Sequence, residues 1–519
     1  MELSTVAVLG GGPGGLYAAR LLKLRSPQCR VAVYEQAVPG ETFGFGVGIA
    51  TRTQRNLEGA DAASLASMVE HAWGHDMSMA VEDRRVLLPT DELLAIGRST
   101  LLDILRTHAE EVGVEVHYGQ RVDIDDLDAE LVIAADGVGS ATREKYAVDF
   151  GARVQTEQAL YLWCGADFAL PHALFRPIET EHGVFVVHGY PYAADRSTFL
   201  VETDEDTWRR AGFDRPLDDQ SFGASDEAAL EYLSEVFAED LQGRRLIGNR
   251  TRWMRFRSVS CDRWSRGNLV LLGDAAHTAH YSIGSGTKLA MESAIELDRA
   301  IAAAGTLDEA LAAYEAARRP GVEYFQSIAH RSMLWWDSFP GRLDLSVERL
   351  LISFMSRAGK VLLSRFAAMA PDVVRQGLAD FAGCMPELVP EDGRVDWVFT
   401  QPWERAGRRR SDRIMAETAG ALEVALKAPH AWGAEAEQLL AAVRARVAAT
   451  DGVVIVTSDD DLDSVLTACD LAERLRREAG VMVCVRAGSR WGELLATAVV
   501  SGRVDLVDLV AAPLLLAPG

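Results

Sequence analysis

The sequence predicts an α/β chain with a Rossmann-like βαβ domain at its start, a β-sheet domain interleaved with it, a helical segment, and a small C-terminal α/β domain. Three observations predict this. A glycine-rich turn joins an apolar strand to an amphipathic stretch within residues 6–24, two further apolar strands end in Asp-containing small-residue turns around Asp136 and Asp274, and the composition shifts past Pro386. The length of 519 residues also exceeds what one hydrophobic core fills, so several domains are expected.

The first unit reads as a strand over 6–9, a turn over 10–15, a helix to Leu24 and a strand over 31–35. In Gly10-x-Gly12-x-x-Gly15, with Pro13 and Gly14 between, the first glycine permits the tight turn. The second lets a pyrophosphate approach the backbone, and the third lets helix and strand pack closely. The helix start then faces the phosphates. Glu35, ending the second strand, is placed to accept hydrogen bonds from both hydroxyls of an adenosine ribose, so a dinucleotide is expected. Short alternating segments, 183–187 and 198–201 among them, predict strands of a separate sheet that covers the substrate. The chain returns to the first domain at 268–274 and continues as a helical pattern to Ile301, and Pro390, Glu391, Asp392 and Gly393 mark a linker. The expected division is 1–70, 98–158 and 259–305 for the nucleotide domain, and 71–97 with 159–258 for the sheet domain. A helical segment over 306–385 and a C-terminal domain over 394–519 complete it.

Composition narrows the function. With 48% hydrophobic and 25% charged residues the chain is ordinary globular protein. No apolar run approaches the roughly 20 residues of a membrane-spanning helix. The start of the chain carries no basic leader, so a cytoplasmic location is expected. The formal charge of −23 opposes nucleic acid and anionic lipid, leaving small molecules as partners. Cys29, Cys164, Cys261, Cys384, Cys469 and Cys484 are scattered without a Cys-x-x-Cys pair, so no metal site or disulfide framework is expected.

The turns Ala135-Asp136-Gly137 and Gly273-Asp274, in this order after the glycine motif, resemble those of the para-hydroxybenzoate-hydroxylase-like aromatic flavoprotein monooxygenases. The resemblance implies a glutathione-reductase-type FAD domain, FAD as cofactor, NADH or NADPH as transient reductant, and O2 as oxidant. In such enzymes a C4a-hydroperoxide of the flavin transfers one oxygen to an electron-rich ring. It also implies that Asp274 binds ribityl or ribose hydroxyls, that Asp136-Gly137 supports FAD and nicotinamide, and that Arg98 lies near the FAD phosphates.

The segments 43–47, 161–165 and 280–287 look like the subgroup containing salicylyl-CoA 5-hydroxylase, 2-aminobenzoyl-CoA monooxygenase and the violacein-pathway indole hydroxylase. Tyr281-Ser282-Ile283 replaces the proline-rich loop of most other relatives, which turns the expectation away from generic phenols. By this resemblance Gly46 and Val47 are cofactor contacts, and the amides of Gly284, Ser285, Gly286 and Thr287 stabilise negative charge on the flavin. His280, Tyr281 and Ser282 are the candidate catalytic residues, with His280 read as a proton acceptor or, alternatively, a structural histidine. His277 is read as structural. Tyr161, Trp163, Phe185 and His188 are candidate substrate-pocket walls, though strand aromatics also serve as plain core.

The expected substrate is an aromatic acyl-CoA thioester, with a free indole-type intermediate, or an FAD-dependent dehydrogenase, as alternatives. Arg250, Arg252, Arg255 and Arg257, or Arg408, Arg409 and Arg410, are cations available to CoA phosphates, or else solvated surface charge. The C-terminal domain faintly resembles part of an old-yellow-enzyme-like reductase. About 125 residues cannot close a barrel that typically needs roughly 250, so a relic serving packing, a homodimer contact or active-site cover is expected.

Overall fold

A computed structural model of the chain describes residues 1–511 apart from 39, 41–43, 91–92, 216–223, 406, 416–419, 427–429, 448–449, 451 and 458. Phe43, part of the 43–47 segment, lies outside the described residues. The chain forms two compact units, residues 1–82 with 87–333, and residues 83–86 with 334–519.

The strands over the first part of the chain are β1 (Thr5–Leu9), β2 (Arg30–Tyr34), β3 (Gly46–Ile49), β4 (Trp73–Gly74), β5 (Met77–Val81), β6 (Arg84–Leu88), β7 (Leu94–Gly97) and β8 (Glu115–His117). There follow β9 (Leu131–Ala134), β10 (Ala152–Ala166), β11 (Ala173–Thr180), β12 (Gly183–Ala193), β13 (Arg196–Thr203), β14 (Trp253–Cys261), β15 (Ser265–Arg266) and β16 (Leu269–Leu271). A six-stranded sheet runs β15-β16-β9-β1-β2-β8, with β1 parallel to both β2 and β9 and β16 parallel to β9. Central parallel strands are covered on both faces, which is why β1, β2 and β9 read as unbroken apolar runs. Val8, Val33, Leu131 and Ile133 are fully buried, in one core with Leu16 and Tyr17 of helix Pro13–Arg25 and Met291 and Ala294 of helix Gly286–Ala303.

The second sheet runs β14-β10-β13-β12-β11-β5-β6. Side chains alternate along its strands. Leu162, Cys164, Phe185, Val187, Phe199 and Val201 point into a core shared with Leu230 and Leu233 of helix Glu227–Val236. Tyr161, Trp163 and His188, of opposite parity, occupy the other face. β10 starts at Ala152, ahead of the expected boundary at 159, because residues 153–156 are exposed and give no apolar alternation to read. The short sheet β3-β7-β4 completes this unit.

Helix Leu307–Asp337 spans the division between the units, and helices Val347–Ser356, Leu363–Met369 and Pro371–Ala382 follow. The remaining strands are β17 (Trp403–Arg405), β18 (Arg408–Arg410), β19 (Leu422–Ala425), β20 (Val453–Val456), β21 (Val483–Gly488) and β22 (Leu506–Val510). β19-β20-β21-β22 is a parallel row, with helices Leu462–Glu478 and Gly492–Val500 as crossovers, so the described residues form a small open α/β layer and not an eight-stranded barrel. A buried ion pair, Arg342 Nη2 to Glu473 Oε2 at 2.6 Å, ties the helical segment to that layer within this unit. Among the described residues no helix is long and apolar enough to cross a membrane.

Candidate functional site

The glycines after β1 divide by what a side chain would meet. Gly10 has φ +101°, and a Cβ there would lie 2.3 Å from the Ala135 carbonyl oxygen. At Gly15 a Cβ would lie 2.1 Å from the Gly10 oxygen, and at Gly14 it would press on Leu272 and Ala290. These three are demanded by packing. Gly12 is different, with nothing within 4 Å of a Cβ. It is the N-cap of helix Pro13–Arg25, with Pro13 opening the helix and no side chain capping the end. Open space over bare helix amides fits a phosphate. Beside it Glu35 accepts from the amides of Gly11 and Ala37, each at 2.7 Å, which fixes the carboxylate with lone pairs left for ribose hydroxyls.

The other two turns meet at the same strand ends. Ala135 donates its amide to Leu9, and Asp136 accepts the Thr142 amide on Oδ2 while its buried Oδ1 has no partner among the described residues. Gly137 and Gly273 have φ +78° and +63°, the left-handed region glycine favours. Arg143 stitches the turns together: Nη1 donates to the Asp274 and Ala275 carbonyls at 3.3 and 3.0 Å, and Nη2 to Val138 at 2.6 Å. Arg98 opens helix Arg98–Glu111, anchored by its amide to the Phe45 carbonyl. Burial pushes the Arg98 pKa down, against the pull of Asp274, and its Nε has no partner among the described residues. Asp274 is pushed up by the atoms crowding it, with Arg98 and then Arg143 opposing. An orphaned guanidinium nitrogen, an orphaned carboxylate oxygen and an open helix end around one crevice fit the phosphates and hydroxyls of FAD.

The Gly46–Val47 segment is held by protein contacts. The Gly46 amide donates to Thr198 Oγ1 at 2.9 Å, its carbonyl accepts from Tyr190, and the Val47 side chain is buried in the first core. Among the described residues, helix Gly286–Ala303 starts after Ser285 without a side-chain cap, the buried Ser285 Oγ has no partner, and neither Gly284 nor Gly286 has an atom within 4 Å of a Cβ. Space beside Gly284 and Gly286 is thus open at an uncapped helix start, an arrangement that fits an anionic group there.

His280 begins the turn Tyr281–Ile283. Its ring lies 4.0 Å from that of Tyr281 and 4.8 Å from that of Phe256, and Tyr281 lies 4.7 Å from Tyr161. Register extends this wall. Tyr161 pairs with Glu202 and Met254, Trp163 and His188 both pair with Leu200, and Phe175 pairs with His188, so these share the face that meets Tyr281. His188 Nε2 lies 3.4 Å from Glu202 Oε1. Trp163 packs on the backbone of Gly44. Phe185 is a correction: it sits on the opposite face, fully buried, its ring 6.3 Å from Phe213 and 5.7 Å from Tyr232, so it is core and not pocket wall.

Burial, with His188 and His330 adding to it, lowers the His280 pKa to about 3. The ring is neutral near pH 7, and its Nδ1 accepts the Ser282 amide at 3.3 Å, which assigns the proton to Nε2. Nε2 is then a donor, and the proton-acceptor role expected for His280 has no open lone pair to work with. Ser282 donates to Ser332 Oγ at 2.8 Å and holds the turn. His277 is buried against Trp264, 3.4 Å from Ser293 Oγ, with its pKa pushed to about 3 by burial. Of the arginines offered to CoA, Arg252 donates to the Ala224 carbonyl and Arg255 pairs with Glu205. Two residues of the site escaped the sequence reading. Arg143 follows the Ser140 cap by three residues, a readable signal, whereas Phe256 is hidden between Arg255 and Arg257.

The model of the family described as FAD binding domain matches residues 3–326. Salicyloyl-CoA 5-hydroxylase of a Streptomyces species is 39% identical over 341 residues, 64% of this chain and 65% of that protein. The 3-hydroxy-4-methyl-anthranilyl-(aryl-carrier protein) 5-monooxygenase of Streptosporangium sibiricum is 41% identical over 359 residues, 69% of this chain and 95% of that protein. The solved tetrameric form of 2-methyl-3-hydroxypyridine-5-carboxylic acid oxygenase shares the fold, with a TM-score of 0.55 at 19% identity over 72% of this chain and 97% of that one. The chain belongs to the FAD binding domain family, and within it to the FAD-dependent aromatic monooxygenases.

Proposed function

We propose that the chain hydroxylates the ring of an aromatic acyl group presented as a thioester of CoA or of a carrier protein, using NADH or NADPH and O2. Overall, one oxygen atom replaces a ring hydrogen as a hydroxyl, and the other leaves as water with the two electrons of the nicotinamide. Bound FAD supplies the oxygen activation. The observation that carries the reading is the aromatic wall of Tyr161, Phe256, His280 and Tyr281, in which His280 offers a neutral imidazole donor. His280 Nε2–H hydrogen-bonds an oxygen or nitrogen substituent of the ring, orienting it and stabilising the negative charge that grows there during attack. Tyr281 and Tyr161 stack against the ring, and Ser282 keeps the imidazole tautomer fixed. The two relatives named above act on a CoA-linked and a carrier-linked aromatic acyl group, which supports the thioester.

The test is NAD(P)H oxidation by the flavin-loaded protein with aromatic CoA thioesters, carrier-protein thioesters, the matching free acids and free indoles, with products identified by mass. A gain of one oxygen on thioesters alone is the expected result. Turnover confined to free acids or indoles would overturn the thioester assignment.

A further inference from the structure

The C-terminal unit holds a concentration of charge that ring hydroxylation does not use. Arg349, Arg405, Arg413 and Arg476 line one cavity of about 230 Å³ together with Phe381 and Asp505. They arrive from four separate elements: helix Val347–Ser356, β17, the segment after β18, and helix Leu462–Glu478. At about 30 Å³ per water the space equals some seven or eight waters, enough for a tetrahedral oxyanion.

The acidic side chain at the cavity is already committed. Asp505 takes Arg476 Nε at 3.0 Å on one oxygen, and Arg405 Nη1 at 3.5 Å and the Val483 amide at 3.1 Å on the other. The remaining lining carboxylate, Glu404, is exposed. Arg349 and Arg413 are left without a carboxylate partner among the described residues. Arg349 donates Nε to the Val500 carbonyl, and Arg413 donates Nη1 to the Asp505 carbonyl while its buried Nε has no partner among the described residues. Both guanidiniums lie over the ring of Phe381, at 5.7 and 4.8 Å. Burial pushes each pKa down to about 10. Arg476 repels both, while Asp344 and Asp380 pull on Arg349 and Asp505 on Arg413. Desolvated cations that repel one another destabilise the fold unless an anion joins them.

We propose that this cavity binds a phosphate monoester group, whose oxygens accept from the unused donors of Arg349 and Arg413 while Arg405 and Arg476, held by Asp505, supply the floor. A carboxylate is satisfied by one guanidinium fork. A tetrahedral dianion takes donors from several directions and matches the surplus of cations. The site lies at the starts of β21 and β22, where arginines and not helix amides supply the positive potential.

Calorimetric titration of the full-length, FAD-loaded protein at fixed ionic strength tests this, with inorganic phosphate, CoA and dephospho-CoA as probes and chloride as control. Phosphate is expected to bind saturably, and roughly tenfold or more weakly in Arg413→Gln and in the Arg349→Gln/Arg413→Gln pair. The source follows from the heat that the paired variant loses: a loss for CoA but not dephospho-CoA assigns the phosphate of a nucleotide, and a loss for inorganic phosphate alone assigns the free ion. The thermal midpoint separates binding from mere packing. In phosphate-free buffer Arg413→Gln is expected to melt at or above the wild-type temperature, and it is expected to lose the rise that phosphate gives the wild type. No saturable phosphate heat in the wild type, unchanged binding in the variants, or an equal loss of midpoint with and without phosphate would each overturn the proposal.

Discussion

Replacing Gly12 and Gly15 separately by alanine divides the cofactor's requirement from the fold's. At Gly12 the backbone has φ −75° and ψ 176°, open to any residue, and a Cβ meets no protein atom within 4 Å. The exchange weakens only an N-cap, so the apoprotein should lose about 1 kcal/mol or less. The same Cβ stands where the pyrophosphate must approach the helix amides. Loss of two charge-assisted hydrogen bonds at about 1.5 kcal/mol each raises the FAD Kd roughly a hundredfold. At Gly15 the Cβ would lie 2.1 Å from the backbone oxygen of Gly10, and neither the helix nor β1 can yield without reopening the core. That overpacking costs about 3 kcal/mol or more in the apoprotein. Flavin fluorescence titration of deflavinated protein gives Kd, and urea unfolding of the same samples gives stability. A Gly12→Ala protein that binds FAD like the wild type would refute the cradle, and a Gly15→Ala apoprotein of undiminished stability would refute the packing argument.

Three further outcomes are expected. His277 and His280 are held near 3 in the fold against an ordinary 6.5, so the unfolded chain binds more protons between those values; stability falls as pH drops through 6.5, by about 1.4 kcal/mol per histidine at pH 5.5, and urea midpoints at pH 7.5 and 5.5 measure it. If His280 works as a donor, His280→Gln should keep hydroxylation within about tenfold of wild type while His280→Ala loses roughly ten- to a hundredfold in kcat/KM, with no inflection between pH 5 and 8 that belongs to this residue; a base would show both variants equally dead. Phe185→Ala should cost about 3 kcal/mol or more of stability with little change in substrate KM, whereas Phe256→Ala should raise KM or uncouple NAD(P)H oxidation from hydroxylation at small cost to the fold.

The cofactor crevice was legible because its demands are local and chemical. Gly10 must be glycine on account of Ala135, and that partner sits in a motif readable by itself. Glu35 ends a strand whose apolar run announces it. The proposed substrate face was only half legible. Alternation along β12 says that His188 and Phe185 point opposite ways, but Val184, Val186 and Val187 make both faces apolar, so nothing in the segment says which side meets the flavin domain. The answer lies in register with distant strands. β14 hides its pocket aromatic among arginines for the same reason: Trp253, Arg255 and Arg257 alternate with Met254 and Phe256.

The imidazole shows how far residue type alone carries a mechanism. A histidine in a flavin-facing loop suggests a base, since an ordinary imidazole titrates near neutrality. Burial works against that option by disfavouring the imidazolium that a base must become, and one backbone amide, that of Ser282, engages the lone pair of Nδ1. A desolvated ring and a 3.3 Å contact at Nδ1 together favour the donor role proposed for Nε2. The same logic runs outward through the register. Once Tyr161 is fixed against Tyr281, pairing places Trp163, His188 and Phe175 on the same face, so the wall beside His280 is composed by three strands. On the proposed reading, a substrate recognised by that wall is chosen by the shape of its ring and by hydrogen bonds close to it, a requirement that leaves the carrier beyond the thioester free to vary.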